Sequence, residues 1–165
     1  MKMSKLLGKA AKAAAIGGTI GGIVYFGQKN INSEAALKER YRSYYQLLLQ
    51  WINNKNSEKA MDEYFKEHGI KTIAIYGMGT LGELFYQDIK KTDIKVLYFI
   101  DNNTELVNMG MDDVPVVNVE QMDSMNIPDA VIITPVYDFD EIDMSLEEKG
   151  CNIMRISLED IIFSN

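Results

Sequence analysis

The amino-acid sequence predicts an α/β fold in which a parallel sheet, with strand order 3-2-1-4-5, follows an N-terminal helical extension. From Lys71 onward, apolar β-branched runs alternate with helical patterns, and such alternation is typical of parallel sheets with right-handed crossovers. The first run ends in a glycine-rich turn, residues 77–82, and the second run ends in an acidic residue, Asp101. Together these observations predict a Rossmann-like sheet.

The order of the elements follows from apolar periodicity, turn residues and helix caps along the chain. Helices are predicted at 33–53, 58–67, 80–91, 119–124 and 138–149, and a last helix is capped by Ser157. Strands are predicted at 71–76, 95–100, 114–117, 129–134 and 152–156.

The residues of the glycine turn each suit one task in a nucleotide site. Gly77 allows the tight turn from strand to helix, and Gly79, which has no Cβ, lets a pyrophosphate approach the backbone. Gly82 lets the helix pack close to the strand. The helix N-terminus offers free N–H groups and a positive dipole end to phosphate. Asp101 can accept hydrogen bonds from the two ribose hydroxyls.

A ligand of such a sheet binds beyond the carboxyl ends of the strands. The candidate cofactor-binding residues there are Gly77, Met78, Gly79, Thr80, Leu81, Gly82, Asp101, Asn102, Thr134 and Pro135. A carboxylate at Asp101 repels a 2′-phosphate, so NAD is favoured over NADP. The alternative is a glycine turn that is kept for packing and binds nothing, with Asp101 as an ordinary strand-end turn residue.

The sequence predicts neither catalytic residues nor a metal site. It contains one cysteine and one histidine, and it has no Gly-x-Ser-x-Gly elbow. Tyr86 and Lys90 match the Tyr-x-x-x-Lys spacing of short-chain dehydrogenases. They follow the glycine turn directly on its own helix, however, and cannot reach the site in that role.

Three stretches carry a resemblance to known proteins: 76–82, 98–102 and 133–140. Over residues 58–163 the chain resembles a Rossmann-like nucleotide- or NAD-binding domain of bacterial polysaccharide-biosynthesis proteins. It is similar to the N-terminal domain of sugar acetyltransferases and to the C-terminal domain of sugar C-methyltransferases. The resemblance implies an NAD or nucleotide-sugar ligand and an accessory function in cell-surface polysaccharide biosynthesis, with a glycosyltransferase as partner. A stand-alone NAD-dependent oxidoreductase and a ligand-free interaction module are the alternatives.

Charged residues are distributed unevenly along the chain. Residues 1–42 carry eight Lys/Arg and two Asp/Glu, whereas residues 43–165 carry nine Lys/Arg and 22 Asp/Glu. An acidic body argues against nucleic acid as its partner. We expect a basic, apolar tail at 1–30, a helical segment at 31–69 and the Rossmann-like nucleotide-binding domain at 70–165.

The basic tail is predicted to contact a membrane through residues 1–27. Residues 13–27 contain no charged side chain, and they are preceded by Lys2, Lys5, Lys9 and Lys12. This pattern favours an anchor or a helix on an anionic surface, with a disordered or loosely helical tail or a signal peptide as alternatives. A nucleotide site must face the compartment that holds nucleotides, so the body is predicted to be cytoplasmic and membrane-associated through its N-terminus.

The helix predicted at 33–53 has a second possible use. Its apolar stripe comprises Leu37, Tyr41, Tyr44, Leu48 and Trp51. The stripe is expected either to pack on the following domain or to form the seam of a homodimer.

Full-length protein is expected to sediment with anionic liposomes at low salt, whereas protein that starts at Ser33 is expected to stay in solution. Each lysine near an anionic surface contributes about 1 kcal/mol of attraction, and salt screens this attraction. Liposomes of uncharged lipid are the control. Equal sedimentation of the two forms would contradict the predicted membrane contact.

Overall fold

The computed structural model describes residues 33–103 and 111–164. The chain divides into two compact units, Met1–Arg42 and Ser43–Asn165. The segment predicted to contact a membrane, residues 1–27, lies outside the described residues, and the predicted domain boundaries stay predictions. Within the described residues, no helix combines the length and the apolar character needed to cross a membrane.

A five-strand sheet forms the centre of the larger unit. Its strands are β1 (Thr72–Tyr76), β2 (Lys95–Ile100), β3 (Val116–Val117), β4 (Ala130–Ile133) and β5 (Met154–Ser157). Their order is β3-β2-β1-β4-β5 and every pairing is parallel. The predicted α/β fold and strand order are therefore confirmed. All of β4 is buried, which explains why its sequence is a continuous apolar run.

Five α-helices accompany the strands among the described residues. They are α1 (33–56), α2 (Glu63–Glu67), α3 (Thr80–Ile89), α4 (Phe139–Glu148) and α5 (Leu158–Ser164). In the part of the chain that the structure describes, 3₁₀ helices also span Val119–Ser124 and Val136–Asp138. The first confirms the short helix predicted at 119–124.

The sheet separates two apolar cores. Ile73 and Ile75 of β1 belong to one core and Ala74 to the other, because successive strand residues point to opposite faces. The first core also contains buried side chains of α1, α2, α3 and α5. The second contains Leu146 of α4 and Met122 of the first 3₁₀ helix. Burial of both sheet faces supplies most of the driving force for folding.

The second helix is shorter than predicted. The sequence predicts a helix at 58–67, but α2 covers only Glu63–Glu67. The Ser57 amide donates to the Asn53 carbonyl at 3.0 Å, so the preceding residues complete α1. Glu58 then adopts a φ of 56°, which lies in the left-handed region and cannot continue a helix.

The edge strand is also shorter than predicted. The expected strand at 114–117 is reduced to Val116–Val117. Val114 instead pairs with Met111 in an antiparallel bridge, with N–H···O distances of 2.9 and 3.1 Å. Asp112 and Asp113, between them, both have positive φ values. This tight turn uses the backbone groups of Val114, so they cannot join β2. The remaining strand boundaries differ from prediction by at most two residues.

The C-terminal half of α1 packs on the sheet unit. Leu47 and Trp51 are buried in the first core. The Trp51 indole N–H donates to Asp88 of α3 at 3.0 Å. The Asn54 side-chain amide donates to the carbonyl of Ile162 in α5 at 2.7 Å. Residues 43–56 therefore have the packing role that was one of the two predicted uses of this helix.

The buried face of α1 differs from the predicted stripe, since Leu37, Tyr41 and Leu48 of that stripe are exposed. Leu48 is 37% exposed and Leu47 only 1% exposed, because contacts to α3 and α5 centre the buried face on Leu47, Trp51 and Asn54. The exposed apolar side chains of this helix are Leu37, Tyr41, Tyr45, Leu48, Leu49 and Ile52. A homodimer through this surface stays a prediction.

The substitution Leu47→Ala is expected to lower the free energy of unfolding by about 2–5 kcal/mol, because it removes a core side chain and leaves a cavity. Leu48→Ala is the matched control, and it is expected to cost about 1 kcal/mol or less because surface positions tolerate truncation. Urea denaturation measures both. Equal losses would contradict the orientation of α1.

Candidate functional site

The predicted site residues meet at the carboxyl edge of the central strands. The turn between β1 and α3 passes beside the end of β2, where the Gly77 amide donates to the Ile100 carbonyl at 2.8 Å. It also passes the end of β4, where the Thr134 amide donates to the Tyr76 carbonyl at 3.1 Å. Three segments distant in sequence, 77–82, 101–102 and 134–135, therefore come together.

Gly77 has the conformation and the surroundings that its predicted role requires. Its φ is 91°, in the region that favours glycine. A Cβ there would lie 2.9 Å from the Thr134 hydroxyl and 3.1 Å from two ring carbons of Pro135. A side chain at position 77 would therefore meet the end of β4 directly.

Gly82 holds α3 against the end of β1. A Cβ at this position would lie 2.0 Å from the Gly77 carbonyl oxygen. No real Cβ tolerates that distance to a backbone atom. The close approach of helix and strand predicted from the sequence therefore depends on the absence of a side chain at Gly82.

Gly79 faces open space. Apart from Gly79 itself and the adjacent backbone, no atom lies within 4 Å of the position that a Cβ would take there. Gly79 is the N-cap of α3, with φ −86° and ψ −174°, and no side chain caps this helix end. The first N–H groups of a helix have no partner within the helix. The arrangement therefore suits a phosphate that approaches the backbone at Gly79 and the N-terminus of α3.

Asp101 fixes the glycine turn. Its Oδ2 accepts a hydrogen bond from the Met78 amide at 2.8 Å, and its Oδ1 accepts one from the Asn103 amide at 2.8 Å. The sequence prediction assigned this carboxylate to ribose hydroxyls. Each carboxylate oxygen accepts more than one hydrogen bond, so Asp101 has remaining capacity for a ribose.

Thr134 and Pro135, which follow β4, lie next to Gly77 of the glycine turn. The Thr134 hydroxyl lies 3.0 Å from the Tyr76 carbonyl oxygen and 3.2 Å from that of Gly77, and Thr134 is buried. Its single hydrogen is used within the protein. The structure therefore gives these two predicted site residues a positioning role toward Gly77.

The Tyr76 side chain is a neighbour of the site that sequence reasoning missed. Its hydroxyl accepts a hydrogen bond from the Asn102 side-chain amide at 3.4 Å. Burial raises the pKa of Tyr76, so this hydroxyl keeps its proton at neutral pH. The signal available in the sequence was its position directly before Gly77, at the end of β1.

The Tyr86 and Lys90 side chains contact residues outside the glycine turn. Tyr86 is buried with its ring 5.3 Å from that of Phe99. The Lys90 ammonium pairs with Asp112 at 2.6 Å. Across residues 33–103 and 111–164, no group of three or more His, Cys, Asp or Glu side chains is arranged to hold a metal ion.

Residues 69–157 match the protein family described as C2185-like, N-terminal. No curated protein matches the chain. Among solved structures, RSP, a Rex-family repressor, aligns with a TM-score of 0.42 and 18% sequence identity. That alignment covers 68% of this chain and 62% of the repressor chain, so it spans less than two thirds of the repressor.

The substitution Gly82→Ala is expected to lower the free energy of unfolding by about 2–3 kcal/mol or more, because the added methyl group overlaps a backbone oxygen and forces α3 away. Gly79→Ala is the control on the same turn. It is expected to cost only about 1 kcal/mol or less, since the site is open and only a weak N-cap preference is lost. Chemical denaturation compares the two, and equal costs would contradict the described packing.

Proposed function

We propose that this chain, which belongs to the C2185-like, N-terminal family, is a nucleotide-binding module whose phosphate site is the glycine turn, residues 77–82. The observation that carries the proposal is the open backbone at Gly79, which lies at the uncapped N-terminus of α3. A pyrophosphate there accepts hydrogen bonds from helix N–H groups and is stabilised by the positive end of the helix dipole.

The acid at the end of β2 favours one class of cofactor. Asp101 lies next to the turn, since its Oδ2 is 2.8 Å from the Met78 nitrogen. A carboxylate at this place accepts hydrogen bonds from a ribose diol and repels a 2′-phosphate. NAD or a nucleotide-sugar therefore fits this edge better than NADP does.

The cellular role that we propose is accessory to cell-surface polysaccharide biosynthesis, with a glycosyltransferase as partner. Its support is the resemblance of three stretches to polysaccharide-biosynthesis domains: 76–82, 98–102 and 133–140. In this role the module presents a bound nucleotide-sugar or NAD to the partner. We propose that the body works in the cytoplasm, where nucleotides are available, and that residues 1–27 hold it near the membrane.

The second candidate is an interaction module that binds no ligand. One observation favours it: the turn is completed by the protein's own groups. Asp101 accepts hydrogen bonds from the Met78 and Asn103 amides, and the Thr134 hydroxyl donates to the Gly77 carbonyl of the turn. A turn with these bonds is stable without a nucleotide, so its geometry alone does not require one.

Calorimetry with NAD, NADP and a UDP-sugar distinguishes these candidates. The folded protein is expected to bind NAD or the UDP-sugar, with NADP bound more weakly. Gly79→Ala is expected to weaken binding by about tenfold or more, a loss of about 1.4 kcal/mol, because a methyl group stands where the pyrophosphate approaches.

Asp101→Asn is expected to reduce the preference for NAD over NADP by about tenfold, because hydrogen bonds to a charged acceptor are the stronger ones. Asp93→Asn is the charge-matched control, since Asp93 is exposed and precedes β2 at the other edge of the sheet. Absence of heat with all three ligands at millimolar concentration would overturn nucleotide binding and support the ligand-free module.

A further inference from the structure

A second concave site lies at the amino ends of the strands, opposite the end that carries the glycine turn. It is a cavity of about 800 Å³, within the size range of small-molecule sites. Its lining includes Asp129, which precedes β4, and residues 149–154, which lead into β5. The amino ends of these strands therefore border it. Met122 of the 3₁₀ helix lies on another side.

Tyr98 of β2 contributes a polar group to the lining of this cavity. The residue is 1% exposed and lines the cavity. Within residues 33–103 and 111–164, its hydroxyl makes no hydrogen bond. Every side-chain oxygen or nitrogen there that is fully shielded from solvent does have a hydrogen-bond partner, so the Tyr98 hydroxyl is not fully shielded. The hydroxyl therefore opens onto the cavity. A hydroxyl that opens onto a cavity can donate a hydrogen bond to an acceptor bound there.

The Tyr98 hydroxyl is a donor at neutral pH. Burial is the main cause that raises the pKa of Tyr98, and the neighbouring Cys151 adds to the effect. The phenol therefore keeps its proton and offers it to a ligand. A carbonyl or amide oxygen is the kind of acceptor that such a donor pairs with.

The walls of the cavity are mainly apolar. The lining includes Val119, Met122, Ile127, Pro128 and Met154. Apolar walls with a few convergent polar groups are typical of sites for small organic molecules. A ligand body that is aromatic or aliphatic would remove these side chains from water and be stabilised by that burial.

The charges at the cavity disfavour an anion. Lys149 is already paired with Glu120 at 2.8 Å, and Asp123 and Asp129 also line the cavity. One Asp129 oxygen accepts from the amides of Lys71 and Thr72. Carboxylates outnumber ammonium groups here, so a phosphate or carboxylate ligand would meet repulsion. The cavity therefore disfavours an anionic ligand, whereas the glycine turn suits a phosphate.

We propose that this cavity is a binding site for an uncharged small molecule with an apolar or aromatic body and a carbonyl-type oxygen that accepts a hydrogen bond from Tyr98. The site is separate from the proposed nucleotide site and does not depend on it. The apolar body of the molecule packs against Met122 and Ile127, which line the cavity.

Benzamide and benzoate are matched probes, because they share one shape and differ in charge. Titration into isotope-labelled full-length protein, followed by amide NMR, is expected to show benzamide shifting the signals of Cys151, Asn152 and Ile153. Benzoate is expected to bind about fivefold or more weakly because of the carboxylates at the cavity. Tyr98→Phe is expected to weaken benzamide binding about three- to tenfold through loss of one hydrogen bond.

Tyr86→Phe is the matched control, since Tyr86 is also buried but belongs to the core on the other sheet face. It is expected to leave benzamide binding unchanged. The proposal is overturned if benzamide shifts no signal of the cavity, if benzoate binds as tightly, or if the two variants behave alike. The first two comparisons use the wild-type protein alone and hold even if Tyr98→Phe fails to fold.

Discussion

The approach of Gly82 to the Gly77 carbonyl oxygen, where a Cβ would lie at 2.0 Å, is the contact on which the larger unit depends. It sets the distance between α3 and the sheet, and this distance places Phe85 and Ile89 in the first core. From the same helix, Asp88 accepts the Trp51 indole hydrogen bond. The packing of residues 43–56 of α1 against α3 thus depends on the absence of a side chain at Gly82.

Some polar groups of the glycine turn are hydrogen-bonded within the protein, and others have no side-chain partner. Asp101 and Thr134 take the hydrogen bonds that hold the turn, while no side chain caps the N-terminus of α3 at Gly79. A site arranged in this way has little conformational freedom to lose when a ligand binds, and such preorganisation favours affinity. The cavity beside Tyr98 has the opposite character, with an apolar lining and an excess of carboxylates. One sheet therefore offers two edges of different chemistry.

The strands and the glycine turn were predictable because their signals are local. A β-branched run such as that of β4 is buried on both sides, and the positive φ of Gly77 follows from the turn that glycine permits. What could not be predicted depends on partners far along the chain. The choice of Leu47 over Leu48 follows from where α3 and α5 pack, and the bond from the Met78 amide to Asp101 joins residues 23 positions apart. The hydroxyl of Tyr98 could not be predicted to line a cavity either, because an apolar strand sequence does not show which of its side chains will do so.

The hydrogen bond from Asn54 to the Ile162 carbonyl joins residues 108 positions apart, and this separation has a consequence during synthesis. A ribosome adds about 5–20 residues per second, so α1 emerges on the order of ten seconds before its partner in α5. During that interval Leu47 and Trp51 are exposed to water, because the α5 residues of the first core have not yet been synthesised. Chaperones that recognise apolar helices therefore have time to engage α1 before the last helix closes over the core.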